Sequence, residues 1–270
     1  MTELPAILDN AVWRRRVGLV WWTVGLIAVA ALIALAYPTV RDNSALDKTF
    51  ASLPSSVQAA LGLAPGSALT SPVGYLNSQF FANVLPVMML VFALGFGAWA
   101  VSGDEGSGML ELILANPVSR VRIVVERASA LLVMLAVLTA VTALTLVALA
   151  PLAGLGAGAP AARIIEATLA CAGLALTYGT LALAVGAATG SRAAALAVSS
   201  AAAVAGFVLQ GLAEQVTALR PLRAAMPWHW LIDGNALGAG LGVQNGLLPV
   251  AVSLAMIIAA AILWSRRDLR

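Results

Sequence analysis

A chain of 270 residues that is 61% hydrophobic and 10% charged, with a mean hydropathy of +0.96, carries too little charge to cover a water-soluble body of its size; soluble domains have about a quarter charged residues. That composition excludes an ordinary soluble enzyme or binding domain and defines an integral membrane protein. The net charge of +3 does not indicate nucleic acid, because the arginines are spread among the segments between apolar runs, where they act as topology signals.

Residues 1–16 carry Leu4, Ile7, Leu8, Ala11 and Val12 on roughly one side, interspersed with Glu3, Asp9 and Asn10, and end in Arg14, Arg15 and Arg16. An amphipathic helix lying on the inner leaflet accounts for this pattern; a disordered tail is the alternative. The apolar run 17–37 has the roughly 20 residues that a bilayer core requires. It is too long for the apolar region of a cleavable signal, so it reads as the first span. Trp13, Trp21 and Trp22 mark its inner end and Tyr37 its outer end. Residues 38–72 form a polar loop with Pro38, Pro54, Pro65 and Pro72, in which 56–63 can make a short helix.

The second span, 73–101, contains Pro86, which predicts a kink at that point. The third span, 123–149, has Glu126 and Arg127 in its first turns, close to water. A Gly- and Ala-rich turn at 151–160 leads to the fourth span, 161–189, where Arg163 and Glu166 stand at i, i+3 and can pair at the outer interface. Gly186 and Gly190 make a small-xxx-small pair suited to close helix approach. The fifth span is 193–212. Residues 213–244, including Trp228, His229 and Trp230, read as short helices against the outer interface with the two tryptophans as anchors. The sixth span, 246–264, and a basic tail close the chain. The expected fold class is all-α and membrane-integral: an interfacial helix at 1–16, then a six-helix transmembrane domain at 17–270 with a short helix between the second and third spans.

Six spans put both termini on one side. Arg14, Arg15, Arg16, Arg120, Arg122, Arg127, Arg192, Arg266, Arg267 and Arg270 fall on that side, against Arg41, Lys48, Arg163, Arg220 and Arg223 on the other, so the termini are expected in the cytoplasm. Ionisable residues are missing from the middles of the spans, which argues against proton coupling; sodium coupling through backbone carbonyls stays open. The absence of an internal repeat counts against an inverted-repeat transporter. Uncharged polar groups inside the spans include Asn77, Asn83, Thr142 and Gln210, which can line a route for an amphipathic substrate or simply hold the bundle together by interhelical hydrogen bonds.

No catalytic constellation is visible. His229 has tryptophan neighbours rather than triad partners, and its spacing from Cys171 makes no metal site. The single lysine, Lys48, follows Asp47 rather than glycine, so the Gly-Lys-Ser/Thr core of a P-loop is absent. The chain is expected to be neither an enzyme nor the holder of a metal or cofactor. If transport is driven by ATP, another polypeptide supplies the ATPase.

The longest polar interruption flanked by arginines is 104–122, DEGSGMLELILANPVSRVR. Ser107 is a candidate N-cap and Pro117 a stop, and between them Leu110, Ile113 and Leu114 share one helical face while Glu111 points elsewhere. Such a helix can lie along the lipid boundary, dock into a partner's groove or merely connect two spans. Glu105, Gly108, Leu110, Glu111, Leu112, Ile113, Leu114, Ala115, Pro117, Val118, Ser119 and Arg120 together resemble the corresponding loop of ABC-2 type transporter permeases, which commonly reads G-T-L-E-L-L-L-A-x-P-V-S-R. The departures are Met109, where Thr is usual, and Ile113.

The resemblance implies a half-transporter. Two permease chains, identical or not, pair in the bilayer above two cytoplasmic ATPase subunits, which bind the ATP and Mg. Residues 108–117 would then be the coupling helix that fits a groove on the ATPase. Leu110, Ile113 and Leu114 would pack there, Glu111 would be a polar contact, Glu105, Gly108 and Pro117 would frame the helix, and Arg120 would lie near the lipid head groups. Residues 1–16 would correspond to a connecting helix that also touches the ATPase. The implied function is export of a hydrophobic or amphipathic compound such as a drug, an antibiotic or a lipid. A stand-alone channel or energy-independent transporter, and a membrane assembly component that transports nothing, are the alternatives. One lysine against abundant arginine and alanine suits a GC-rich bacterial genome, hence a bacterial inner membrane.

Overall fold

The computed structural model describes residues 6–54, 57–58, 68–105, 119–156, 158–216, 221, 225–232 and 236–267. These residues are helical, without a strand among them, and include six helical stretches long and apolar enough to cross a bilayer. The elements are α1 (Ala6–Ala36), α2 (Ser44–Ala51), α3 (Pro72–Leu76) continued by a π-helical turn (Asn77–Phe81), α4 (Val84–Ala100), α5 (Ser102–Glu105), α6 (Arg120–Ala153), α7 (Ala161–Thr189), α8 (Arg192–Gln215), α9 (Pro227–Ile232) and α10 (Val243–Ser265). Six crossings bring Ala6, Glu105, Ser119 and Arg267 to one end of the bundle, called the near end below; α2 and α9 belong to the far half.

The fourth span, α7, is the hub: α4, α6, α8, α9 and α10 all pack on it. Apolar helices in lipid gain no hydrophobic energy from meeting each other, so close contact depends on small residues that let backbones approach. Those residues are in place at three depths. Gly173 leaves room for Pro249 of α10, whose Cβ and Cγ would lie 3.2 Å from an added Cβ. Gly179 leaves room for Leu131 of α6 and Ala93 of α4, at 2.9 and 3.0 Å, and Gly97 of α4 presses directly on the Gly179 carbonyl. Gly186 faces Ser102 and Ala195. Of the pair read from the sequence, Gly186 serves close approach, whereas Gly190 ends the helix: its φ of 67° is the left-handed C-cap conformation, and its N–H donates to the Gly186 carbonyl.

The first span begins earlier than its hydropathy alone indicates. Residues 6–16, read as a separate interfacial helix, continue into 17–36 as one helix, because no proline interrupts the stretch between Ala6 and Ala36. At 1.5 Å per residue its 31 residues are about 46 Å long, more than the hydrocarbon core needs. It packs chiefly on α6, buries a narrow line of Ala11, Leu26, Ala30 and Ala34, and leaves Val17, Val20, Trp21 and Leu32 exposed for lipid.

The second span is broken, but not at Pro86. Asn77–Phe81 is a π turn, with the Ala82 N–H bonding to the Asn77 carbonyl, and Asn83 leaves helical geometry at φ −126°, ψ −65°. Pro86 sits in the first turn of α4, where its missing N–H would have had no intrahelical partner. The amide of Asn83 donates to the Ser78 carbonyl at 3.0 Å, which satisfies part of the interrupted backbone. The 151–160 turn is likewise shorter than expected: α6 runs through Pro151 to Ala153 and ends at Gly154, φ 77°.

The segment before the last span also departs from its sequence reading. Trp228 is 4% exposed and donates its indole N–H to the carbonyl of Ala203 at 2.9 Å. Ala203 lies midway along α8, so this tryptophan reaches into the bundle rather than resting at the interface. Gly206 makes space for it, since an added Cβ would stand 3.2 Å from Trp228 and 2.6 Å from the Tyr178 hydroxyl. Phe207 meets the indole edge-on at 5.0 Å. A tryptophan before a span reads as an anchor because one edge is polar; here that edge takes a helix carbonyl instead.

Candidate functional site

Eight residues are singled out for the partner-binding loop. Gly108, Leu110, Glu111, Ile113, Leu114 and Pro117 lie outside the described residues. Glu105 ends α5, and Arg120 begins α6. The structure therefore defines the two stems that flank this segment in the chain.

On the first stem, α4 ends at Ala100 and α5 follows after one residue. Ser102 donates to the Ala98 carbonyl at 2.5 Å, and the indole of Trp99 folds across Gly103, occupying the place where a Cβ would be. Only glycine fits at that position without moving the ring. Trp99 also meets Phe96 edge-on at 5.5 Å.

On the second stem, Ser119 caps α6, its hydroxyl accepting from the Arg122 N–H at 3.3 Å. The next residue, Arg120, turns toward the last helix. Its Nη1 donates to the carbonyls of Trp264, in the last turn of α10, at 2.9 Å and of Arg267, two residues past the helix end, at 2.6 Å. The guanidinium that the loop resemblance places among head groups is thus engaged in tying the second stem to the final span. Arg122 pairs with Glu126 at 2.7 Å one turn on.

Glu126 and Arg127, read as lying near water, are both buried, Arg127 to 2% exposure. The reason is tertiary: α1 packs along α6 and α4 closes over its first turns, so the rim that a lone helix would expose is covered. Arg127 stands over the Trp99 ring at 4.8 Å from its centroid, and Arg15 and Arg14 of α1 approach the same ring at 4.3 and 5.5 Å. A guanidinium over an indole is worth about 0.5–1 kcal/mol when exposed and about 2 or more when desolvated. Arg16 makes the same kind of contact with the lipid-facing Trp13. These contacts join α1, α4 and α6 at a single side chain.

The four residues read as a substrate route stand on three different spans. Asn77 opens the π turn and Asn83 closes the break after it, both half-buried. Thr142 is fully buried, with its hydroxyl donating to its own helix at the Leu138 carbonyl, 2.7 Å. Gln210 is buried on α8. Thr139, Thr145, Thr168, Thr177 and Thr180 are engaged like Thr142, each with the carbonyl four residues back. The second span additionally presents an exposed line of Gln79, Val87 and Val91, with Asn83 half-exposed between them. The contact that sequence reasoning missed is that of Trp99 with Gly103. Its signal was present in the spacing, since i and i+4 put the ring over the glycine, but tryptophan near a span end reads first as an interfacial anchor.

A bundle of six helices, each long and apolar enough to cross a bilayer, defines a polytopic membrane protein. The model of the family described as ABC-2 family transporter protein matches residues 14–269, and the chain belongs to that family. Membership makes it a permease subunit of an ABC transporter. No curated protein gives a significant match to the chain.

Proposed function

We propose that this permease is the membrane half of an ATP-driven exporter of hydrophobic or amphipathic compounds, among which drugs, antibiotics and lipids are the classes of substrate to test. ATP and Mg are bound by a separate cytoplasmic ATPase subunit that grips residues 108–117. Leu110, Ile113 and Leu114 are its contact face, Glu111 a polar contact, and Glu105, Gly108 and Pro117 the frame. The chain works in the bacterial inner membrane with both termini in the cytoplasm, paired with a second permease chain. Asn77, Asn83, Thr142 and Gln210 are the polar groups proposed for the substrate route, with the two asparagines the better placed because they bracket an interrupted helix.

The observation that carries this reading is that both stems of the loop are fastened to other spans, the first to α1 through Trp99 and the second to α10 through Arg120. A force applied to the loop therefore reaches four spans at once. The test is co-purification of the permease with its ATPase, followed by ATP-driven movement of ethidium and of NBD-phosphatidylethanolamine in proteoliposomes. Replacing Leu110, Ile113 and Leu114 together by Asp puts three charges on a face that must be desolvated, so ATPase association falls by about a hundredfold or more. Unchanged association in that variant removes the coupling assignment, and probe movement without ATP favours the stand-alone transporter.

A further inference from the structure

We infer that Trp99 is the joint through which movement of the 106–118 loop is passed to the N-terminal helix and the third span, a positioning role that rests on the ATP-driven reading above. Three independent features of the ring converge on it. It lies across Gly103, four residues along the first stem and three before the loop begins, so the ring and the stem cannot move separately without a clash or a gap. Its surroundings draw guanidinium groups from two other helices, Arg14 and Arg15 from α1 and Arg127 from α6. Arg127 itself is 98% enclosed, seven residues into a membrane-spanning helix, which is a costly location for a charge and one that natural membrane proteins reserve for function.

The chemistry of the contact suits a joint. A cation over a π face is held by electrostatic attraction that changes gradually as the charge slides across the ring, unlike a hydrogen bond, which weakens steeply once its angle is lost. The three helix ends can thus shift against one another while staying attached. Phe96, edge-on to the same ring, supports it from within α4. The ring's contacts with Phe96, Gly103, Arg14, Arg15 and Arg127 involve none of the residues proposed for the substrate route or for the ATPase, so its effect is on the link between the two.

The test uses the permease–ATPase complex in proteoliposomes, with ATP hydrolysis and movement of ethidium and NBD-phosphatidylethanolamine measured on the same preparation. W99L removes the π face; G103A leaves every arginine in place but pushes the ring off the stem. In both, the ATPase stays bound and hydrolysis remains within about twofold of wild type, while probe movement per ATP falls about tenfold or more. W99F keeps a smaller ring for the guanidiniums and restores that ratio to within about threefold. The inference is overturned if W99L or G103A moves probe at the wild-type ratio, or if W99F is as defective as W99L. Parallel loss of hydrolysis and transport overturns it too, because that pattern marks a merely structural residue. A wild-type complex that hydrolyses ATP and moves neither probe defeats the exporter reading itself, and this inference with it, which separates that failure from the others.

Discussion

The two ends of the bundle are held by different chemistry. At the far half, directional hydrogen bonds to backbone fasten the connections. The Tyr37 hydroxyl donates to the Thr70 carbonyl at 2.8 Å and the Tyr75 hydroxyl to the Ile33 carbonyl at 3.0 Å. Trp228 donates to Ala203, and Glu166 accepts both from Arg163 and from the Leu241 N–H, each at 2.9 Å. Gly240, at φ 96°, lets the chain before the last span turn in close beneath the Arg163 guanidinium. At the near end, arginines do the joining, four of them over aromatic rings and one over helix-terminal carbonyls. The lesson is mechanical. The far half is joined by bonds that lose strength steeply with angle, whereas the near end adds to its hydrogen bonds cation–ring contacts whose attraction changes gradually with position.

Between the two lies the Gly97–Gly179 crossing, where the backbones of α4 and α7 come closest. Gly97→Leu gives the largest expected effect on this comparison. A side chain there meets the Gly179 backbone and Ala182 of the hub helix, and nothing flexible can give way. Overpacking of this kind costs about 1–3 kcal/mol and more when backbone is the obstacle. The melting temperature of the detergent-solubilised protein should fall by several degrees, with lower yield in the membrane; an unchanged melting temperature would mean that α4 and α7 do not cross there. Next in size is Arg120→Ala, which strips the Trp264 and Arg267 carbonyls of a charged donor. Hydrogen bonds to charged groups contribute about 1.5–3 kcal/mol. Limited proteolysis should release the C-terminal residues faster while the far half keeps its resistance, and equal loosening of both ends would erase the distinction. The smallest effect belongs to Trp228→Phe. It removes one N–H from a carbonyl that sits within a helix and keeps the edge-on ring, so about 0.5–1.5 kcal/mol is at stake. Hydrogen exchange at α9 should rise with little change in the overall melting temperature.

Much of this molecule could be read from pattern alone because its solvent is so demanding. Lipid offers no partner to a backbone N–H or carbonyl, so an apolar run of sufficient length has to be a helix, and the six spans with their order follow from hydropathy. The fourth span was read at its actual bounds, Ala161–Thr189, and the Arg163–Glu166 pair at i, i+3 forms as its spacing requires. What pattern could not supply is which face of each helix meets which neighbour. Pro86 looked like a kink because proline disrupts a helix interior, but the break had already happened at Asn77–Asn83, leaving Pro86 in a first turn where it fits. Arg127 and Glu126 looked wet because they stand near a helix start, and they are dry because α1 and α4 cover that start. Gly97 and Gly179 carried no distinguishing mark, since a glycine within a span is ordinary in any membrane helix, and the spacing of Trp99 from Gly103 was masked by the commoner reading of a span-end tryptophan as an anchor. Hydrophobic periodicity is a property of one segment against its solvent and was sufficient to define the class; the joints between segments depend on contacts distant in sequence, and those only the packed bundle decides.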